Sequence, residues 1–377
     1  MKRLVIIVCS LLAIAATQAR NNSAAPAAQS NNPKTEVQSD TIAPDSIPVV
    51  AYFCKRDTMN YRYTVTQRVE QSHPSTPLSS SVNGGIAAVT PTDIPTDTVY
   101  KSAFVLDFML CITDSTPDGY RMEYVATDFF KEDTISVDIK ALMHQRVFER
   151  IKGKKIIFQL SQVGELLQLV NWQDVRDPVI QGIFTAYNEI YPKVPGLEQI
   201  LPKGQLMGLV SQSYQTEDGL KEWFKELLLL FNSHGRIFPL RTEWESEGSD
   251  TEFPSSSIAV SGLEKTGDDG NKEPEFDDDY YVMAETETRL KGQDIAAFYR
   301  SKGGPLGEGN ALSKAIEELH ASDIAEKELV VTDGFYIHYF FNGWPNAMES
   351  RNEETIGNTK VVEDRSVDWL SRSWYNY

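Results

Sequence analysis

The chain is poor in the side chains that hold transition metals, with five histidines and three cysteines in 377 residues. His73, His144, His234, His320 and His338 are scattered, never two or four apart, which excludes the metalloprotease helix. The two cysteines beyond the N-terminal region cannot build a cysteine zinc site. No Gly-x-Ser-x-Gly elbow, phosphate loop or dinucleotide fingerprint occurs. Gly303-Gly304-Pro305-Leu306-Gly307 is glycine-rich, but it follows no strand and carries a proline, so it reads as a loop. Positive charge is also in deficit: 36 Lys and Arg face 54 Asp and Glu, a net charge of −18. That balance disfavours nucleic acid and anionic membrane surfaces as partners. No cofactor and no metal ion are expected.

Long apolar runs are missing too, except at the start. Lys2 and Arg3, the run from Leu4 to Ala16 and then Thr17-Gln18-Ala19 have the anatomy of a secretory signal, with cleavage expected after Ala19. The run is shorter than the roughly 20 apolar residues that span a bilayer. Cys9 lies inside the run rather than after it, which argues against lipidation. A periplasmic or secreted protein with no transmembrane segment in its mature chain is predicted. Cys54 and Cys111 then form an even pair in an oxidising compartment. They either bridge, if their strands meet in register, or stay as two buried thiols.

What is present is mostly strand-like. Ile156-Ile157-Phe158-Gln159-Leu160 and Leu166-Leu167-Gln168-Leu169-Val170, around the turn Gln162-Val163-Gly164-Glu165, predict an antiparallel hairpin apolar on both faces, which must be covered on both. Residues 20–47, rich in Ala, Ser, Asn and Pro, read as a disordered tether. Strands are predicted over 47–55, over 59–69 with one wet face, and over 98–113, which returns through Thr116-Pro117-Asp118-Gly119. Residues 71–97 read as a polar loop.

Helical periodicity marks 137–152, closed by Gly153, a helix opening at Asp177-Pro178, a weak helical stretch over 195–214, and one continuous helix over 217–233 capped by Thr216. Later come strands over 257–261 and 280–290, short helices over 294–301 and 311–320, and strands over 328–331, 335–341, 344–350 and 359–367. Turns at Asp333-Gly334 and Asn342-Gly343 separate them. Strands, then helices, then strands predict an α+β class: a curved antiparallel sheet with a central helical insert packed on it. The domain spans 48–370, either whole or as lobes 48–242 and 253–370 around an acidic linker 243–252, with an aromatic tail over 371–377.

Three further patterns carry chemistry only in company. From Glu243 to Glu287 fifteen carboxylates face Lys265 and Lys272. Within that stretch Asp268-Asp269-Gly270-Asn271 and Asp277-Asp278-Asp279 offer oxygens to calcium, but their spacing departs from the helix-loop-helix loop and a solvated acidic loop accounts for them. Asp followed by Ser or Thr and an apolar residue or Thr recurs at Asp40, Asp45, Asp57, Asp97, Asp114 and Asp133. It resembles the O-glycosylation acceptor of some Gram-negative bacteria. His338, within Phe335-Tyr336-Ile337-His338-Tyr339-Phe340, reads as a strand histidine with a backbone or tyrosine partner.

Tyr61-Arg62-Tyr63-Thr64-Val65, the hairpin from Phe158 to Leu166 and Phe341-Asn342-Gly343-Trp344-Pro345 together resemble a class of exported Gram-negative envelope proteins. At the level of fold the plan resembles periplasmic lipoprotein carriers. That resemblance implies a sheet wrapped round helices and an apolar cavity. The leading expectation is therefore a non-catalytic binding protein holding a lipid, another apolar ligand or a partner segment in such a cavity. Phe104, Phe108, Phe335 and Tyr339, on strands apolar on both faces, are its candidate ligand-binding residues. A structural protein of envelope assembly, docking an envelope partner through the acidic segment or the aromatic tail, is the second expectation. A hydrolase with a buried acidic site is the third; no catalytic residue is assigned.

Overall fold

The computed structural model describes residues 46–72, 96–131, 138–194, 198, 202–247, 253–264, 279–291, 294–295, 298 and 328–374. Ser46–Pro48 (β1) pairs with Ile237–Pro239 (β7) in a two-stranded ribbon. The other strands form one antiparallel sheet. They are Thr58–Ser72 (β2), Thr96–Thr116 (β3), Gly119–Lys131 (β4), Ile156–Leu160 (β5), Leu166–Leu169 (β6), Arg241–Ser246 (β8), Ser255–Glu264 (β9), Asp279–Lys291 (β10), Glu328–Tyr339 (β11), Pro345–Ile356 (β12) and Thr359–Ser373 (β13). Their order is β6-β5-β4-β3-β2-β13-β12-β11-β10-β9-β8, two meanders joined where β2 meets β13.

This sheet overturns part of the expected fold. The α+β class holds, with a large antiparallel sheet and a helical segment packed against it, but the sheet is open and is not a curved wrap round its helices. β6 and β8 are both edges. A sheet curls round a core when its apolar face continues from strand to strand, and here that face is interrupted. Ser257, Thr286, Asp333, Asn352, Glu363, Gln67 and Ser102 stand opposite one another across seven strands, on the face that carries the helices. Such a polar rung leaves no continuous greasy concavity.

The helices are Ile139–Ile151 (α1), Trp172–Ile190 (α2), Lys203–Ser213 (α3), Glu217–Lys221 (α4) and Lys225–Phe231 (α5). Helix α1 begins where Asp138 accepts a hydrogen bond from the Ala141 N–H at 2.9 Å. It buries Ile139, Ala141, Leu142, Met143, Val147, Phe148 and Ile151 against β3, β4 and α2. Burial of side chains of this size contributes roughly 1.5 to 3 kcal/mol each. Gly182 makes the α1–α2 crossing close: a Cβ there would lie 2.6 Å from the Val147 Cα.

Helix α2 starts at Trp172, five residues before the expected Asp177, so Pro178 sits inside it. The continuous helix expected over 217–233 is broken. The N–H groups of Trp223 and Phe224 bond three residues back, to Leu220 and Lys221, and Phe224 leaves the helical region. The break lets Trp223 stack on His144 while Phe224 meets Tyr124 and Phe158 edge-on. Tertiary packing overrides helical periodicity at this point.

The strands also depart from expectation. Asp333-Gly334 is no turn but the middle of β11, paired on both sides. Of the strand expected over 47–55 only β1 forms, and β8 was not expected at all. The hairpin β5–β6 lies at an edge and is not covered on both faces, since Leu167 is 51% exposed. On the face away from the helices, Arg62–Asp107, Arg68–Asp364, Arg351–Glu353 and Lys360–Glu353 ion pairs lace a wet surface. Exposed pairs of this kind add little stability.

The expected helices over 294–301 and 311–320, the signal, the tether and the acidic loop 265–278 lie largely or wholly outside the described residues. No helix among the described residues is long and apolar enough to cross a membrane, which says nothing of membrane barrels.

Candidate functional site

The candidate ligand residues lie in the interior. Phe104, Phe108 and Tyr339 are at most 1% exposed, and Phe335 is half-buried against the same core. They do not converge. Phe335 and Phe104 share one cross-strand rung, through Ser350, Arg365 and Val65. Four strand spacings separate them, roughly 19 Å. Phe104 stacks on Phe129 and on His144, Phe108 on Tyr61 and Tyr124, and Tyr339 on Tyr280.

Beneath α1, α5 and the helix break before α5, a void of about 10 Å³ is lined by residues that include Tyr124, His144, Trp223 and Glu226. A cavity needs about that much space to hold one water, and an acyl chain needs far more. One carboxylate, Glu226, lines it. Among the described residues no group of three or more His, Cys, Asp or Glu is placed to hold a metal ion.

The polar groups around this void were invisible in the sequence. Tyr124 donates its hydroxyl to Glu226 Oε1 at 2.9 Å, and burial raises the Glu226 carboxyl to about 7. His144 lies between the rings of Phe104 and Trp223 at 4.4 and 4.7 Å, and burial lowers it to about 3, so it is neutral. Nearby, Lys140 of α1 and Arg365 of β13 both reach Glu363 on the polar rung. Burial alone would raise the Glu363 pKa, but Arg365 and Lys140 outweigh it and hold the group at about 2. Lys225 is lowered to about 8, first by burial and then by Arg365.

Glu226 gives a pH signature. Its folded pKa lies above the ordinary value of 4.5, so it binds its proton more tightly when folded. Its contribution to stability is complete below pH 4.5 and is lost as the pH rises through 7, a loss of about 3 kcal/mol at the usual 1.4 kcal/mol per pKa unit. Glu226→Gln keeps an acceptor for Tyr124 and removes the titration. The variant is expected to melt well above the wild type at pH 8 and near it at pH 4.5. Equal melting differences at both values in calorimetry would refute this assignment.

The second candidate is on the surface, at the end of the sheet. Strand β13 pairs Trp369 with Tyr61 and Arg372 with Met59, and a bulge between Trp369 and Ser371 separates the two pairs. Residues three apart in a strand normally point to opposite faces; the extra residue, Leu370, brings Trp369 and Arg372 to the same one. The turn from β11 to β12 supplies Phe340 and Phe341. It closes with the Gly343 N–H on the Phe340 carbonyl at 2.8 Å, Gly343 at φ +83°, where an added Cβ would strike the Val50 carbonyl.

Arg372 lies over the rings of Trp374, Phe340 and Trp369, at 4.0, 4.3 and 5.4 Å. Trp374 donates its indole N–H to Met59 Sδ at 3.3 Å, which anchors the cluster to the core. Trp369, Phe341 and Leu370 remain 40%, 41% and 46% exposed, and Tyr52, whose N–H donates to the Asn342 carbonyl at 2.9 Å, is 50% exposed. Residues 371–373 of the aromatic tail thus continue β13, and the spacing of its aromatics conceals the bulge that assembles the patch.

Other expected groups are placed as follows. Cys54 and Cys111 are free, half-buried thiols. Asp57 is fully buried and accepts from the Cys54 N–H and the Trp344 indole, so the first role of that acidic residue is structural. Ser115 is exposed at the β3–β4 hairpin. Asp40, Asp45 and Asp133 lie outside the described residues.

No protein-family model matches the chain, and no curated protein matches it significantly. A solved structure concerned with lipid–protein interactions in lipovitellin superposes on 86% of this chain and 26% of its own, at 10% identity and a TM-score of 0.33. The chain therefore spans about a quarter of that protein, and the likeness is too remote to carry an argument.

Proposed function

We propose that this is an exported, non-catalytic binding protein that engages an apolar segment of a partner polypeptide at the surface formed by Phe341, Trp369, Leu370 and Trp374. The observation that carries the reading is the joint exposure of Phe341, Trp369 and Leu370, at a turn and a bulge beside the half-buried Trp374. Contiguous exposed apolar surface of this kind marks interaction sites, and Trp, Tyr and Arg dominate their energetics. The interior supports the same reading from the other side. Among the described residues, the void beside Glu226, about 10 Å³, is suited to a water rather than to a carried lipid. The helices and the covered face of the sheet then serve as a rigid scaffold, and the buried ion pairs hold that scaffold in register.

Panning a phage-displayed random dodecapeptide library on the full chain tests this function. Enriched peptides should carry a large apolar residue and lose binding to Trp369→Ser. An absence of enrichment over a blank surface, or enrichment indifferent to that substitution, would remove the proposal.

A further inference from the structure

Arg372 differs from most of the strand arginines. Arg62, Arg68, Arg241, Arg289, Arg351 and Arg365 each meet a carboxylate. Arg372 has no carboxylate partner among the described residues and is held instead by three aromatic rings. It is also exposed, in a chain of net charge −18. An arginine in such a chain could find a carboxylate of its own with little difficulty; this one is turned by the bulge onto the end of the core, above the buried Met59. A guanidinium lying over rings uses its faces and keeps its in-plane N–H donors, which match a carboxylate two bonds at a time. The rings also remove most of the rotamer freedom that binding would otherwise have to remove.

Resting on the surface-binding reading, we infer that Arg372 is the specificity residue of the patch and that the occupant is an extended acidic peptide segment. In that segment an Asp or Glu docks on the guanidinium while a flanking apolar side chain packs on Trp369, Leu370 and Phe341. Charge complementarity selects this occupant: the guanidinium, without a carboxylate partner among the described residues, calls for an anion, and the exposed rings beside it call for an apolar neighbour. The surrounding negative charge of the chain discourages long acidic runs, so one carboxylate between apolar residues fits better than a polyanion.

Fluorescein-labelled heptapeptides with Asp, Asn or Lys between a leucine and a phenylalanine test the inference by anisotropy against the full chain. The Asp peptide should bind roughly tenfold or more tightly than the Asn peptide, the scale of a charge-assisted hydrogen bond. The Lys peptide should bind weakest, and the advantage of Asp should shrink at high salt. Arg372→Gln should bring the Asp and Asn affinities together, and Trp369→Ser should weaken all three peptides alike. Arg372→Lys, which keeps the charge without the planar fork, should fall between, and it serves if the glutamine variant does not fold. Equal binding of Asp and Asn peptides to the wild type, with dependence on Trp369, would overturn the inference and leave the surface-binding reading standing. If no peptide binds, both fall. Sedimentation of the chain with phosphatidylglycerol vesicles in place of peptide binding would assign the patch to a lipid surface and overturn it as well.

Discussion

Replacing Glu363 with Gln is expected to destabilise the protein by about 3 to 5 kcal/mol, the scale for removing one partner of a buried ion pair. Glu363 is 4% exposed and stands between Lys140 on α1 and Arg365 on its own strand. Without the carboxylate two cations are left in an environment that cannot solvate them. The amide offers one oxygen as acceptor and no charge. Urea denaturation at pH 7 should show a lower midpoint with an unchanged slope. In Lys140→Gln, with Glu363 intact, the loss should be smaller because Arg365 remains. The double substitution should lose less than the sum, since the second change removes a cation the first had stranded.

The sign with pH is opposite to that of Glu226. The Glu363 pKa is depressed to about 2 in the fold, so its stabilisation is present above pH 4.5 and is lost as the pH falls through 2. A midpoint shift below about 1 kcal/mol at pH 7, on the scale of exposed pairs, would mean that the triad is solvated and has no such role.

Trp344→Ala is expected to cost about 3 to 5 kcal/mol, as large-to-small changes at buried aromatic positions do. Trp344 is fully buried, 4.2 Å from the ring of Phe53 and 6.3 Å from that of Phe231. Its indole N–H donates to Asp57 Oδ2 at 3.3 Å, and its carbonyl accepts from the Phe340 N–H at 2.9 Å. The side chain therefore ties the segment after β1 to the turn that carries Phe340 and Phe341. Trp344→Phe separates the two contributions: it refills most of the space but leaves Asp57 one donor short, with a loss of about 1 to 3 kcal/mol expected. Thermal melts of both variants beside the wild type check the order. Alanine and phenylalanine variants of equal stability would show that packing at this position is slack.

How much of this was legible follows from the range over which each signal acts. Thr116-Pro117-Asp118-Gly119 declares a hairpin from its own chemistry, and helical spacing over 137–152 declares a helix; both are found where expected. The break at Trp223-Phe224 could not be read, because the packing of those rings on His144 and Tyr124 decides it. Asp333-Gly334 carries a turn signal that pairing on both sides overrides. Arg241–Ser246 alternates charged and polar residues around one tryptophan and lacks the β-branched run that announces a strand.

The candidate sites were less legible still. Lys140 and Glu363 are 223 residues apart, and no local pattern links them. The aromatic spacing from Trp369 to Trp374 was visible, but strict alternation puts Trp369 and Arg372 on opposite faces, and a one-residue bulge reverses that. The two-sided apolar strands suggested an enclosed ligand, whereas Val105, Met109 and Cys111 face outward and are half-buried opposite the polar Thr64, Asn60 and Thr58.

The junction of β2 with β13 has a consequence for synthesis. Each meander can assemble from neighbours in sequence, but β2 and β12 each wait with one long unpaired border until the strand beginning at Thr359 has left the ribosome. Pairing across some three hundred residues closes a large loop, which slows folding, and waiting borders invite other chains. A nascent chain stopped before Thr359 should therefore be the aggregation-prone species, and the final fifteen-residue strand the one that makes the molecule safe.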